Sequence, residues 1–191
     1  MEKQIQISRP SMGEEEWQSV KEPIMNGWLT QGPKVSEFER QFAKKNNSAF
    51  AVALTSCTGA LHVSVLAAGV TNGDEVIVPA FSWVSTANAI EYCGAKPVFV
   101  DIEQATYNID PKKISEAITK KTKAIIPVHL FGLPADMDEI KNKIPENISI
   151  LEDAACASGA SYKGKNVGNF GQTGSFSFHP RKSITTGEGG M

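Results

Sequence analysis

An α/β fold built on a mostly parallel sheet flanked by helices is predicted by two features of this sequence. The first is a rhythm: from position 49, short apolar runs alternate with longer helix-like stretches at intervals of about 25 residues. The second is the makeup of the runs. "AFAVAL", "EVIVP", "PVFVD", "KAIIPV" and "ISILE" are rich in Val and Ile and lack clean polar alternation, as strands buried on both faces require. The stretches between them, "TGALHVSVLAAGV", "VSTANAIEYCG", "DPKKISEAITKKT" and "PADMDEIKNKI", read as crossover helices. Crossovers between parallel strands are right-handed. Asn72-Gly73-Asp74 and Gly94 mark the ends of two of these helices.

Ahead of this rhythm, "GEEEWQSVKEPIMNG" has early acids and a closing glycine, a helix interrupted by Pro23. Gly27, Gly32 and Pro33 break the chain again, and Val35, Phe38 and Phe42 then fall on one helical face. Residues 1–48 are therefore expected to form a helical arm, and residues 49–191 an α/β domain. The chain has 191 residues, 41% of them hydrophobic, enough for a core of its own. Its net charge of -2 gives no long-range attraction to nucleic acid or anionic membrane. The N-terminus lacks an apolar export signal, and no apolar run is long enough to span a bilayer, so a cytoplasmic protein is expected. Cys57, Cys93 and Cys156 lie far apart, as do His62, His129 and His179; neither a disulfide framework nor a metal site is expected.

In open α/β sheets, ligands collect beyond the C-terminal ends of the strands. The residues after each run are the candidates. "TSCTGAL" places hydroxyls at Thr55, Ser56 and Thr58, and then Gly59, at a helix start that can hold an anion or can be a plain N-cap. It is not a nucleotide loop, since both Gly-rich nucleotide patterns are missing from the chain. Trp83 follows the second run, either covering a flat ligand or packing in a core or interface. Glu152 and Asp153 end a strand, a costly place for carboxylates without partners; one can be structural while an Asp can serve a cationic ring nitrogen. His129 has similar placement, with a satisfied, stacked histidine as its alternative. Near the end, "SFSFHPRKSITTGEGG" runs from a strand-like start through Ser177 to Lys182, which alone reads as a solvated cation. Gly168, Gly171 and Gly174 read as turn residues. The ordered set of anion-holding helix start, flat aromatic, strand-end Asp, hydroxyl and Lys meets the needs of pyridoxal phosphate (PLP): donors for its phosphate, stacking for its ring, an Asp for its ring nitrogen and a lysine for its aldehyde.

Blocks along most of the chain carry a family resemblance. "GWLTQGPKVSEFERQFA", "SCTGALHVSVLAAGV", "GDEVIVPAFSWVSTANAI", "GAKPVFVDIE", "VHLFGLPADMDEI", "EDAACASGA" and "SFSFHPRKSITTGEGG" resemble the DegT/DnrJ nucleotide-sugar aminotransferases, fold type I PLP enzymes. The resemblance implies that Lys182 binds the cofactor aldehyde and serves as general base and acid. It implies that Asp153 keeps the ring nitrogen protonated, that Thr58, Gly59 and Ser177 take the phosphate, and that Trp83 stacks on the ring. It further implies amino transfer, from glutamate, to a nucleotide-linked keto-deoxysugar for surface polysaccharide or aminosugar synthesis, in a homodimeric full-length enzyme. A related sugar dehydratase is the alternative, against which Lys182 counts, because family dehydratases tend to have His there. A non-catalytic product that only binds cofactor or associates is a third reading.

Three departures stand out. Cys156 occupies the position where the family usually has Gln or His near the ring's phenolic oxygen, and a thiol is the weaker hydrogen-bond donor. Cys57 replaces a usual Gly or other small residue in the phosphate loop. The family's members are about twice as long as this chain and continue, by resemblance, into another strand and a small C-terminal domain. The expectation is a chain whose cofactor pocket is nearly complete but which lacks aminotransferase activity on its own.

Overall fold

The computed structural model describes residue 5 and residues 7–191. Among them are the strands β1 (Glu75–Pro79), β2 (Lys96–Val100), β3 (Thr122–Ile125), β4 (Ser149–Asp153), β5 (Ser161–Tyr162), β6 (Lys165–Asn166) and β7 (Thr173–Ser175). Five of these form one parallel sheet in the order β2-β1-β3-β4-β7, while β5 and β6 make a small antiparallel hairpin. The helices are α1 (Glu14–Met25), α2 (Pro33–Asn46), α3 (Cys57–Ala67), α4 (Ser85–Glu91), α5 (Pro111–Ala117) and α6 (Met137–Lys143). The architecture is thus the mostly parallel, helix-flanked sheet expected from the rhythm of apolar runs.

Successive strand residues feed opposite layers, because side chains alternate across a sheet. Val76 and Val78 of β1 pack with Leu61 and Val65 of α3 and Ala89 and Ile90 of α4. Ile77, between them, packs on the other side with Ile114 of α5 and Met137 and Ile140 of α6. Leu151 and Ile150 of β4 divide in the same way. Both faces are therefore apolar, which is why β1 and β4 show no polar alternation. The edge strand β2 is more open: its Phe99 is exposed. A third cluster joins α2 to the β7 side, where Phe38 and Phe42 meet Phe176 and Phe178 edge-on at 5.0–5.6 Å between ring centroids. Such pairs add roughly 0.5–1.5 kcal/mol beyond their burial.

Two local expectations are corrected. Pro23 does not interrupt the first helix; α1 runs through it to Met25. The proline sits in the last turn on a helix with no buried residues, so the Ser19 carbonyl that loses its partner can turn to water. The first apolar run, Ala49–Leu54, is not a sheet strand either. Only Leu54 pairs, exchanging both backbone bonds with Gly190 at 2.9 Å, while the Ala53 N–H is taken by the Glu39 carboxylate at 2.8 Å. A groove of about 410 Å³ separates this segment from β7. Beyond β7, Phe176–Phe178 stays extended and pairs antiparallel with Gly189–Met191.

No helix among the described residues is long and apolar enough to cross a membrane.

Candidate active site

The five strands of the main sheet all point the same way, so their C-terminal ends share one edge, and the strand order reverses between β1 and β3. A cavity of about 430 Å³ opens there. Thr58, Trp83, Asp153, Cys156, Ser177 and Lys182 all line it, although they lie far apart in sequence. Gly59 does not line it: its N–H is spent on the Ser56 hydroxyl, 3.1 Å away. Ser56 caps α3 in extended backbone geometry, and the other amides of the first turn have no intrahelical acceptor. Of the two readings of "TSCTGAL", the N-cap is the one seen. The turn is an N-cap, and the capped end faces the cavity through Thr58, whose hydroxyl donates to Ser85 Oγ at 3.0 Å.

This turn is held from behind. Gly190 lies so close to it that a Cβ there would fall 2.3 Å from the Ser56 carbonyl carbon and 2.4 Å from the Cys57 nitrogen. The bonds between Gly190 and Leu54 fix the approach. The C-terminal residues therefore buttress the α3 N-terminus as well as following Lys182.

Asp153 ends β4 at the cavity floor. It is 3% exposed, and its carboxylate accepts from the Thr86 hydroxyl at 2.8 Å and from the Ala155 N–H at 3.1 Å. Burial pushes its pKa up. The Thr86 and Ala155 bonds and the charge of Lys182 pull it down, but less strongly. This is a buried carboxylate with two neutral donors and no cation in hydrogen-bond contact, an arrangement that a protonated ring nitrogen would complete.

Glu152, one residue earlier, faces the other way and is fully buried. One carboxylate oxygen accepts from His129 Nε2 at 2.9 Å and the Gly168 N–H at 2.7 Å; the other accepts from the Phe170 and Gly171 N–H groups at 2.5 and 2.8 Å. Burial pushes its pKa up, yet these bonds outweigh burial and hold it below the ordinary value. His129 Nδ1 accepts from the Ala135 N–H at 3.1 Å, which places its proton on Nε2, facing Glu152. His129 is the satisfied histidine of the two readings and does not line the cavity. The glycines at 168, 171 and 174 are close-approach positions: a Cβ on Gly171 would meet the Ile150 carbonyl oxygen at 2.1 Å, and one on Gly174 would meet Gly168 Cα at 2.3 Å.

Lys182 follows a tight turn in which His179 accepts the Lys182 N–H on its carbonyl at 2.9 Å and the Arg181 N–H on Nδ1 at 3.2 Å. Its amine donates to Cys156 Sγ at 3.1 Å. Trp83, 76% exposed, stands at the cavity rim with its indole available to a flat ligand. Ser177 is buried, and its hydroxyl accepts weakly from the His179 N–H at 3.4 Å. Ser82, Ser85, Arg181 and Glu188 also line the cavity and were not singled out from sequence. Ser82 and Ser85 flank Trp83 at a strand exit, a placement that could have flagged them.

The model of the DegT/DnrJ/EryC1/StrS aminotransferase family matches residues 10–191. The chain belongs to this family. The uncharacterised protein MJ1066 of Methanocaldococcus jannaschii is 50% identical over 184 residues, covering 96% of this chain and 48% of its own length. The PMP form of Spr1654 from Streptococcus pneumoniae, described as a sugar aminotransferase, superposes with a TM-score of 0.94 at 37% identity, covering 97% of this chain and 51% of that one. GDP-4-keto-6-deoxy-D-mannose-3-dehydratase of E. coli, with bound hydrated PLP, superposes with a TM-score of 0.91 at 36% identity, covering 96% and 49%. The chain thus spans about half the length of the relatives it matches. The fold is that of the PLP-dependent aminotransferases, and PLP is the cofactor of the family's neighbours.

Proposed function

We propose that this chain is the cofactor-binding part of a PLP-dependent aminotransferase that moves an amino group from glutamate to a nucleotide-linked keto-deoxysugar. The observation that carries the reading is the meeting, in one cavity, of the Lys182 amine and the buried Asp153 carboxylate beside the capped start of α3. When bound, PLP supplies an electron sink for reactions at the carbon bearing the amine. With PLP bound, Lys182 Nζ would hold the cofactor's aldehyde and would serve as the base and acid that moves the proton at the donor's α-carbon. Asp153 keeps a proton at the ring nitrogen. The open amides of the α3 N-terminus and the hydroxyls of Thr58 and Ser177 take the phosphate. The Trp83 indole would cover the ring face and limit water. Cys156, beside Lys182, would be the residue that meets the ring's phenolic oxygen, by the family resemblance.

Lysine at 182 supports amino transfer over the dehydration catalysed by the E. coli relative. The enzyme is read as cytoplasmic, serves surface polysaccharide or aminosugar synthesis, and is homodimeric in its full-length form. The test is spectroscopic. Folded chain given PLP should develop a visible absorption band that Lys182→Ala lacks, and glutamate should bleach it if the half-reaction is intact. A band unchanged by Lys182→Ala would overturn the assignment.

A further inference from the structure

The three thiols of this chain sit in different environments. Cys57 is buried, and burial, reinforced by the nearby Asp153 carboxylate, pushes its pKa far up. Cys93, just past the end of α4, donates to the Ala89 carbonyl at 3.5 Å and packs against the core, and burial pushes it up as well. Cys156 differs: it is exposed, opens into the cavity, and lies 3.1 Å from the Lys182 amine. No carboxylate forms an ion pair with that amine among the described residues, and its hydrogen-bond partner is the sulfur. An accessible thiol in contact with a side-chain amine is a setting in which peroxide can oxidise the sulfur and the amine can trap the product.

We infer that Cys156 is a peroxide-responsive modification site whose oxidised sulfur captures the Lys182 amine in a reversible sulfur–nitrogen bond. In the first step the Cys156 thiolate attacks hydrogen peroxide; the S–O bond forms, the O–O bond breaks, and hydroxide leaves. The hydroxide takes a proton from the Lys182 ammonium, giving water and the neutral amine. In the second step Nζ attacks the sulfenic sulfur; the S–N bond forms, the S–O bond breaks, and the hydroxyl leaves with an amine proton as a second water. The sulfur is oxidised and the peroxide reduced, and the protein loses two hydrogens in all. A small thiol reverses the link by attacking sulfur and releasing the amine, and a second thiol frees Cys156 from the mixed disulfide. Lysine capture and cofactor binding use the same nitrogen and exclude each other. That last consequence rests on the cofactor role of Lys182; the covalent step does not.

The experiment treats the cofactor-free chain with hydrogen peroxide and measures intact mass and tryptic peptides. The expected result is a loss of about 2 Da and one cross-linked peptide joining Cys156 to Lys182, reversed by dithiothreitol. Cys156→Ser and Lys182→Arg should both abolish the link, the second leaving a sulfenic acid that dimedone traps at Cys156. Cys57→Ala should retain it. A disulfide between Cys57 and Cys156, a sulfinic acid at Cys156 with the Lys182 peptide free, or reaction at Cys93 ahead of Cys156 would each overturn the proposal. Preloading with PLP should block the link. Link formation undiminished by PLP supports the sulfur–nitrogen step and counts against the cofactor assignment.

Discussion

Replacing Glu152 by Gln changes one oxygen to an amide and should unfold the site from beneath. Each carboxylate oxygen accepts two donors: His129 Nε2 and the Gly168 N–H on one, the Phe170 and Gly171 N–H groups on the other. Whichever way the Gln side chain is turned, its NH2 faces two donors, and two buried donors lose their acceptor. At about 1–3 kcal/mol for each buried group left unpaired, the loss is about 2–6 kcal/mol. Against a typical domain stability of about 5–15 kcal/mol this is a large share. With a urea m value of about 2 kcal/mol/M, the midpoint should fall by about 1–3 M at pH 7 with m unchanged. The pH dependence gives a second check. Glu152 is held below its ordinary value of 4.5 in the fold, so its contribution is in place above that pH. It is lost as pH falls through the lowered folded value, because the unfolded chain then binds the proton first. Glu152→Gln lacks this dependence, so the two proteins should converge on acidification. An unchanged midpoint at pH 7 would refute the clamp.

Two further outcomes follow from the geometry. Gly190→Ala forces a Cβ into the Ser56–Cys57 peptide and should cost about 1–3 kcal/mol by urea unfolding, with weaker PLP binding by titration; wild-type values for both would show that the C-terminal residues do not buttress the α3 start. Asp153→Asn should stabilise the cofactor-free chain at pH 7 while weakening PLP binding. Burial raises the Asp153 pKa, so its ionised form costs stability above the raised value, and the advantage of Asn should shrink as pH falls through it; a less stable Asp153→Asn at pH 7 would contradict this.

The elements that sequence rendered legible are those with a single dominant force. β1 and β4 are apolar on both faces, so their runs are unmistakable, and α3 carries its cap in the residues that precede it. Ala49–Leu54 is just as apolar yet forms no strand, since pairing depends on what lies alongside, and a distant glutamate takes one of its amides. Glu152 and Asp153 looked alike as adjacent strand-end acids. Pleating sends one into the core against His129 and three backbone amides and the other into the cavity, a division that depends on which face is covered. Gly168, Gly171 and Gly174 read as turn residues because the close approaches that require glycine come from β4 and from one another. The contact between Cys156 and Lys182 joins loops 26 residues apart and has no local signal.

Borohydride reduction of the chain with PLP, followed by peptide mapping, decides whether Lys182 is the nitrogen that holds the cofactor. A pyridoxyl group should be fixed on Lys182, lost in Lys182→Ala and reduced in Asp153→Asn. Labelling spread over surface lysines, or confined to a lysine outside the cavity, would contradict that role.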